Sequence, residues 1–369
     1  MAPKTQTALV IQRDSSENGL PLAVSHSAPI PGLASPHHVL VRVLTVALNP
    51  NDHKMMRHFP MEGNTAGCDF CGIVDVAGES STCAVGTRVC GAAFPYKPGD
   101  TGGSFAQYLA VDSRLLVRVP ESWDDLQGAA FGGVGWSTLS MAFSDSEALA
   151  LSGTPDSPVE KKQPVLVYGA ATATGTLACQ LLNLSGYDVV AVTSKASKPL
   201  ADEYGASCVA LYNNPSQPLL DQIRGLTKGG SIRLALDCIT DAESSSICFQ
   251  ALARTGGRYA CLEQCPEEWR TRRAVKVKEV MGFEVLGVDV DLGPDTTYSR
   301  RASTRLHQIG GTWARAMEKL VQDGLVKPHP LAEVADASRP WWEAVVEGLG
   351  RLQRGEVRGQ KLVVRIAVP

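Results

Sequence analysis

Seven consecutive residues carry the clearest chemistry in the chain. Gly169-Ala170-Ala171-Thr172-Ala173-Thr174-Gly175 stand between the apolar run Val165–Tyr168 and a segment where Leu177, Leu181 and Leu184 recur at helical spacing. A strand that turns straight into a helix leaves the first backbone N–H groups of the helix without partners. The positive end of the helix dipole faces the same point, so the turn is an anion site. Small residues let a pyrophosphate approach the backbone. Only Gly169 and Gly175 are glycines here, and Thr172 and Ala173 occupy positions where such turns usually carry glycine. Taken alone, the seven residues read equally as an ordinary tight turn. A second strand, Val189–Val192, tilts the reading toward a dinucleotide. Thr172 and Thr174 add hydroxyls for phosphate oxygens.

The end of that second strand separates NAD from NADP. A carboxylate there holds a free ribose 2′-hydroxyl. This chain has Thr193-Ser194-Lys195 instead, with Lys198 close behind. A hydroxyl and an ammonium suit a 2′-phosphate, so NADPH is the expected cofactor; Lys198 reads as a solvated surface lysine. Cys68, Cys71, Cys83 and Cys90 are spaced in a way that can be read as a structural zinc site. Cys68 and Cys71, however, lie in or beside an expected strand, where an odd offset sends side chains to opposite faces. Buried free thiols are the better reading. No Ser-His-Asp set and no paired-carboxylate site stands out.

These residues need elements to position them. From Val165 onward the pattern runs strand, turn, helix, turn, strand, with Gly186 suited to a helix C-cap and further strands at Ile232–Leu236 and Tyr259–Leu262. That alternation predicts a doubly wound α/β domain. The first 120 or so residues are instead rich in short β-type runs, at Val39–Leu48, Gly72–Val76, "GTRVCG" and "FAQYLAVD", closely punctuated by Gly and Pro. They predict a small barrel-like β domain. Residues 144–164 read as an exposed connector. After residue 310 come a helix (TWARAMEKLVQDG), another near Trp341–Leu349 and a terminal strand (KLVVRIAV). Trp341 and Trp342 read as packing residues. A chain of 369 residues implies two domains. The net charge is −3 with both signs interspersed, which argues against a nucleic-acid or membrane footprint. No apolar run approaches the ~18 residues of a spanning helix. The first residues lack the apolar core of a secretory signal. Ten scattered cysteines then read as reduced thiols in the cytoplasm.

The ordered set Gly67–Val74 (GCDFCGIV), Gly86–Val89 (GTRV), Phe105–Tyr108 (FAQY) and Gly128–Thr138 (GAAFGGVGWST) resembles the quinone-oxidoreductase branch of the medium-chain dehydrogenases/reductases. The resemblance covers nearly the whole chain. It narrows at Asn49–Lys54 (NPNDHK), YGAATATGT, Leu234–Thr240 (LALDCIT), VQDGLVKPHPL and GQKLVVR, which are similar to the fungal trans-acting enoyl reductases of polyketide pathways. It implies a GroES-like β-rich catalytic domain, residues 1–158 and 311–369, and a Rossmann NADP-binding domain, residues 159–310. It implies that Asn49, Pro50, Asn51, Asp52, His53 and Lys54 lie near the nicotinamide end. Ala171, Thr172, Ala173 and Thr174 would hold the pyrophosphate, and Ser194, Lys195 and Tyr212 the adenosine phosphate. Gly256, Gly257, Arg358 and Gly359 would lie close to the cofactor. Thr138, with Met281, Gly282, Phe283, Glu284 and Val285, would face the substrate. Lys54 and Thr138 are the expected polar residues at the reacting end. His53 beside Lys54 reads more readily as an exposed loop histidine than as a proton donor. Zinc dehydrogenases of this fold place Cys and His where Asn49 and Cys68 stand, so no catalytic metal is expected.

The activity implied is NADPH-dependent reduction of the α,β-double bond of an enoyl thioester. That thioester would sit on the acyl carrier protein of a highly reducing polyketide synthase, alone or as a hybrid with a peptide synthetase. A monomer is implied. A free-standing quinone or enone reductase is the second reading, and a non-catalytic NADP-binding partner protein the third.

Overall fold

Residues 4–13, 19–97, 99, 101–227, 230–293, 296, 298–334 and 339–366 are described by a computed structural model. In chain order the first half holds β1 (Thr5–Ile11), β2 (Leu22–Pro29), β3 (His38–Ala47), α1 (Pro50–His58), β4 (Asp69–Ala77), β5 (Arg88–Ala92), β6 (Tyr108–Asp112) and β7 (Val117–Arg118). Next come α2 (Asp125–Phe131), α3 (Val134–Ser144), β8 (Pro164–Tyr168), α4 (Ala173–Leu184), β9 (Asp188–Thr193), α5 (Lys198–Glu203), β10 (Cys208–Leu211) and α6 (Leu219–Leu226). The remainder is β11 (Leu234–Asp237), α7 (Ala242–Ala251), β12 (Gly257–Cys261), β13 (Val275–Glu279), α8 (Thr304–Gln322), β14 (Leu331–Glu333), α9 (Trp341–Gln353) and β15 (Lys361–Arg365). The last residues of the expected terminal strand, 367 and 368, lie outside the described residues.

The chain divides into two units. One gathers Met1–Val134, Leu286–His307 and Met317–Pro369; the other gathers Gly135–Val285 and Gln308–Ala316. The division differs from the expected one at 158/159 and 310/311. The reason is packing: α3 is apolar on most sides, with Trp136, Leu139, Met141 and Phe143 buried, and Gly282 packs against its Thr138. α3 therefore joins the second unit, and the chain returns to the first at Leu286.

In the first unit β1 and β2 pair alone, and seven strands form a second sheet in the order β14-β15-β3-β4-β5-β7, with β6 also on β3. β3 alternates as a half-buried strand should, with Val39, Val41 and Val43 fully buried. Its last residues pair with β15, Ala47 opposite Val363, and with β4, Ala47 opposite Asp69. That register fixes what the loops beyond Ala47 meet.

In the second unit six parallel strands run β10-β9-β8-β11-β12-β13. Pairings Tyr168 with Val192, Tyr168 with Asp237 and Asp237 with Cys261 align the strand ends along one edge. The order reverses at β8, and a doubly wound sheet binds its ligand outside the strand ends at that reversal.

Three elements differ from the sequence reading. Asn49–Lys54 is the start of helix α1, not a loop, because Pro50 opens the first turn and the Asn49 N–H donates to the Asp52 carboxylate at 2.8 Å. α8 begins at Thr304, capped by Ser303, earlier than the apolar pattern suggests. The 144–164 segment is not wholly exposed: Asp145, Ala148 and Leu149 are buried, and Arg258 donates to the Ser146 and Ala148 carbonyls at 2.8 Å each. Among the described residues no helix is long and apolar enough to cross a membrane.

Candidate functional site

The turn between β8 and α4 lies at the aligned strand ends. Gly169 has φ +75°, and a side chain at Gly175 would collide with the Gly169 carbonyl, so backbone geometry alone demands these two glycines. Thr172 is the N-cap of α4, its hydroxyl accepting from the Gly175 N–H at 3.0 Å. That bond engages the Thr172 oxygen within the helix cap. The N–H groups of Ala171, Ala173 and Thr174 have no acceptor among the described residues, and all three residues are half-buried. Three free donors at a helix N-terminus fit a pyrophosphate.

Ser194 and Lys195 follow β9 on the same edge. The Ser194 hydroxyl donates to that of Ser197 at 3.1 Å and accepts the Ser197 N–H at 3.2 Å. Lys198 is an exposed surface lysine and pairs with Asp202 at 2.5 Å. The exposed Lys195 is the cation at this edge with no ion pair among the described residues. Tyr212, 48% exposed, follows β10 and donates its N–H to the Thr193 carbonyl at 3.2 Å. An exposed ammonium, and no carboxylate, at the end of β9 fits a 2′-phosphate better than a free ribose hydroxyl.

The next strand end holds a group that sequence reasoning missed. Asp237 is fully buried. Its Oδ1 accepts the Ile239 and Thr240 N–H groups at 2.9 Å each, and its Oδ2 accepts the Ser244 and Tyr259 hydroxyls at 2.7 and 2.8 Å. Burial raises its pKa against those hydrogen bonds. The carboxylate holds the 238–240 bend, where Thr240 has φ +61°, at the edge that carries Gly169.

Gly256 and Gly257 are not on this edge. Gly256 precedes β12 and Gly257 opens it, so both lie at the strand starts, opposite the aligned ends. They are small for packing: a side chain at Gly256 would collide with the Ala274 carbonyl and one at Gly257 would crowd that of Arg233. Thr138 and the 281–285 stretch do come together. Gly282 lies so close that a Cβ on it would sit 3.1 Å from the Thr138 Cα, and Met281, Phe283, Glu284 and Val285 are buried.

In the first unit a buried polar hub ties the start of α1 to three distant segments. Lys361, 6% exposed, donates to Asp69 Oδ2 at 2.6 Å and to Asn49 Oδ1 at 2.9 Å. Asn49 Nδ2 also reaches Asp69 Oδ2 at 2.9 Å, and Asp69 Oδ1 accepts the Gly133 and Val134 N–H groups at 2.8 Å each. Asp52 is fully buried beside the Cys68 thiol, and burial pushes its carboxyl up to about 7. Asn51 Nδ2 donates to Cys68 Sγ at 3.5 Å. His53 is half-buried and Lys54 exposed on α1. Arg358, exposed, and Gly359, at φ +63°, form the turn that leads to Lys361.

The four cysteines do not converge. Cys68 faces Asn51 and Asp52, Cys71 lies opposite Cys90 across β4 and β5, and Cys83 sits beside Thr82 and Ser113. All four are buried free thiols. Among the described residues no cluster of His, Cys, Asp and Glu could hold a metal ion. Trp341 is buried and stacks edge-to-face on Trp342 at 5.6 Å, as packing residues do.

A profile of the alcohol dehydrogenase GroES-like domain matches residues 35–121, and one described as zinc-binding dehydrogenase matches residues 173–262. A trans-enoyl reductase of Penicillium decumbens is 56% identical, over 99% of this chain and 99% of its own. One of Phaeosphaeria nodorum is 50% identical, over 100% and 99%. Among solved structures, a quinone oxidoreductase of Pseudomonas syringae superposes with a TM-score of 0.71 at 16% identity, covering 97% of this chain and 100% of that one. The CurK enoyl reductase gives 0.72 at 15%, covering 98% and 100%. At such identities the structural likeness shows the fold alone.

Proposed function

The chain belongs to the trans-enoyl reductases, and from that premise we propose that it reduces the α,β-double bond of a polyketide enoyl thioester carried on the acyl carrier protein of a separate synthase. The observation that carries the reading is the likeness at 56% identity along 99% of the chain, which leaves neither unit unaccounted for.

When bound, NADPH would supply a hydride for the electrophilic β carbon, and the α carbon would then take up a proton. The chain's own residues bind, orient and polarise. Ala171, Ala173 and Thr174 offer backbone N–H groups to the pyrophosphate, and Lys195 offers an ammonium to the 2′-phosphate. Tyr212 gives the adenosine end an aromatic face. Negative charge develops on the thioester oxygen as the β carbon is reduced, and Lys54 on α1 is suited to stabilise it. The Asp69–Lys361–Asn49 hub fixes the start of the helix that carries Lys54. Thr138, seated against Gly282, contributes a hydroxyl toward the substrate.

The test is NADPH oxidation with a crotonyl thioester beside a small quinone. The reading requires the thioester to be the faster substrate. A protein that turns over the quinone and ignores the thioester is a free-standing quinone reductase, and one that binds NADPH and reduces neither is a binding protein.

A further inference from the structure

A cavity of about 490 Å³ opens within the first unit, and none of the site residues above lines it. Its floor is apolar: Ala93, Phe94, Val111, Leu115 and Leu116 are each at most 8% exposed. Its rim carries the exposed Ala34, Lys97 and Val288. Two polar side chains in its wall are engaged within the unit. Asp112 pairs with Arg114 at 2.6 Å and with His307 at 3.8 Å, and His38 Nδ1 contacts the Ser35 hydroxyl at 2.6 Å. What the floor offers a ligand is shape and apolar surface, and the volume lies in the size range of ligand pockets, roughly 300–1,000 Å³.

One wall is linked to the helix that carries Lys54 through the buried Tyr96. Ala92 is the register partner of Asp69, the centre of the polar hub. Phe94 packs edge-to-face on Tyr96 at 5.6 Å, and the Tyr96 hydroxyl donates to the Asp52 carbonyl in α1 at 3.3 Å. We propose that this cavity takes the apolar tail of the acyl chain, the part remote from the thioester, and so sets chain-length preference. The proposal rests on the enoyl-reductase reading. Each methylene that leaves water on the floor favours binding about fourfold, so longer chains gain affinity until the cavity is full.

The experiment measures kcat and KM for crotonyl and trans-2-decenoyl N-acetylcysteamine thioesters, with a thermal melt. Ala110→Trp fills the cavity from β6, and Val288→Trp narrows the exposed rim, where a large side chain does not disturb the core. Both variants should melt like wild type and turn over crotonyl thioester normally. Their KM for the decenoyl thioester should rise by about tenfold, with kcat at saturation retained. Folded variants with an unchanged decenoyl KM, or with equal losses on both substrates, overturn the cavity assignment alone. A wild type that reduces neither thioester sinks the enoyl-reductase reading beneath it.

Discussion

Two neighbouring residues on α1 carry different kinds of prediction. Lys54 is exposed, so its replacement disturbs no core, and alanine is the best helix former. Lys54→Ala should therefore melt like wild type and lose at least about tenfold in turnover on a simple enoyl thioester, equivalent to ~1.4 kcal/mol of barrier. If the lysine only grips the cofactor, apparent NADPH affinity falls and turnover recovers at saturation. Wild-type kinetics would return it to the surface. Asp52 predicts a pH effect on stability. Its carboxyl titrates near 3.8 when the chain is unfolded and at about 7 when folded, because burial penalises the charge. Between those values the folded chain holds the extra proton, so this contribution to stability is full below about pH 4 and is lost as the pH rises through 7. Wild type should lose melting temperature from pH 5 to pH 8. Asp52→Asn should flatten that slope, and an equal slope in the variant would show that the proton lies elsewhere.

At the scale of an element, the N-terminus of α4 and the end of β9 form the edge proposed to hold the cofactor. Thr174→Asp puts a carboxylate where the pyrophosphate is expected. An acid near a helix start favours the helix, so the fold should survive while NADPH binding is abolished. An unchanged NADPH dissociation constant in the folded variant would move the site elsewhere. Lys195 is the cation available to a 2′-phosphate, since Lys198 is paired with Asp202 and the Ser194 hydroxyl with Ser197. One charge-assisted contact is worth ~1.5–3 kcal/mol, so NADPH should bind at least about tenfold more tightly than NADH. Lys195→Ala should bring the two cofactors close together in a titration. A preference that survives the substitution would point to another residue.

At the scale of the molecule, the hub of the first unit joins residues far apart in the chain. Asp69 and Lys361 are 292 positions apart, and both side chains are nearly or wholly out of water. Removing one partner of a buried ion pair leaves the other charge uncompensated and costs ~3–5 kcal/mol. Lys361→Met should therefore lower stability by about that amount in a denaturant titration. It should also lower turnover, because Asn49 at the start of α1 loses a tie. A variant as stable as wild type would mean that the remaining donors to Asp69 suffice.

Much of this protein is written in local patterns. The change of hydrophobic period near Val165 sufficed to place a parallel sheet, and the run GAATATG and the absence of an acid after β9 pointed to an anion site and to NADP. Each depends only on dihedral preferences and on side chains within a few positions. Two further signals are legible in the sequence. Asn49-Pro50 followed by Asp52 is a helix start, and a glycine at the start of a parallel strand lies at the edge opposite one that follows a strand, which puts Gly256 and Gly257 at the edge away from Gly169. The Asp69–Lys361–Asn49 hub and the Asp237 bracket were not legible. Their acids and base stand singly at the ends of strands, and nothing local pairs them. Only the antiparallel register of β15 on β3, and of β3 on β4, brings Lys361 and Asp69 side by side. Their meeting is settled by which faces leave water together, a property of the assembled sheet and not of any segment within it.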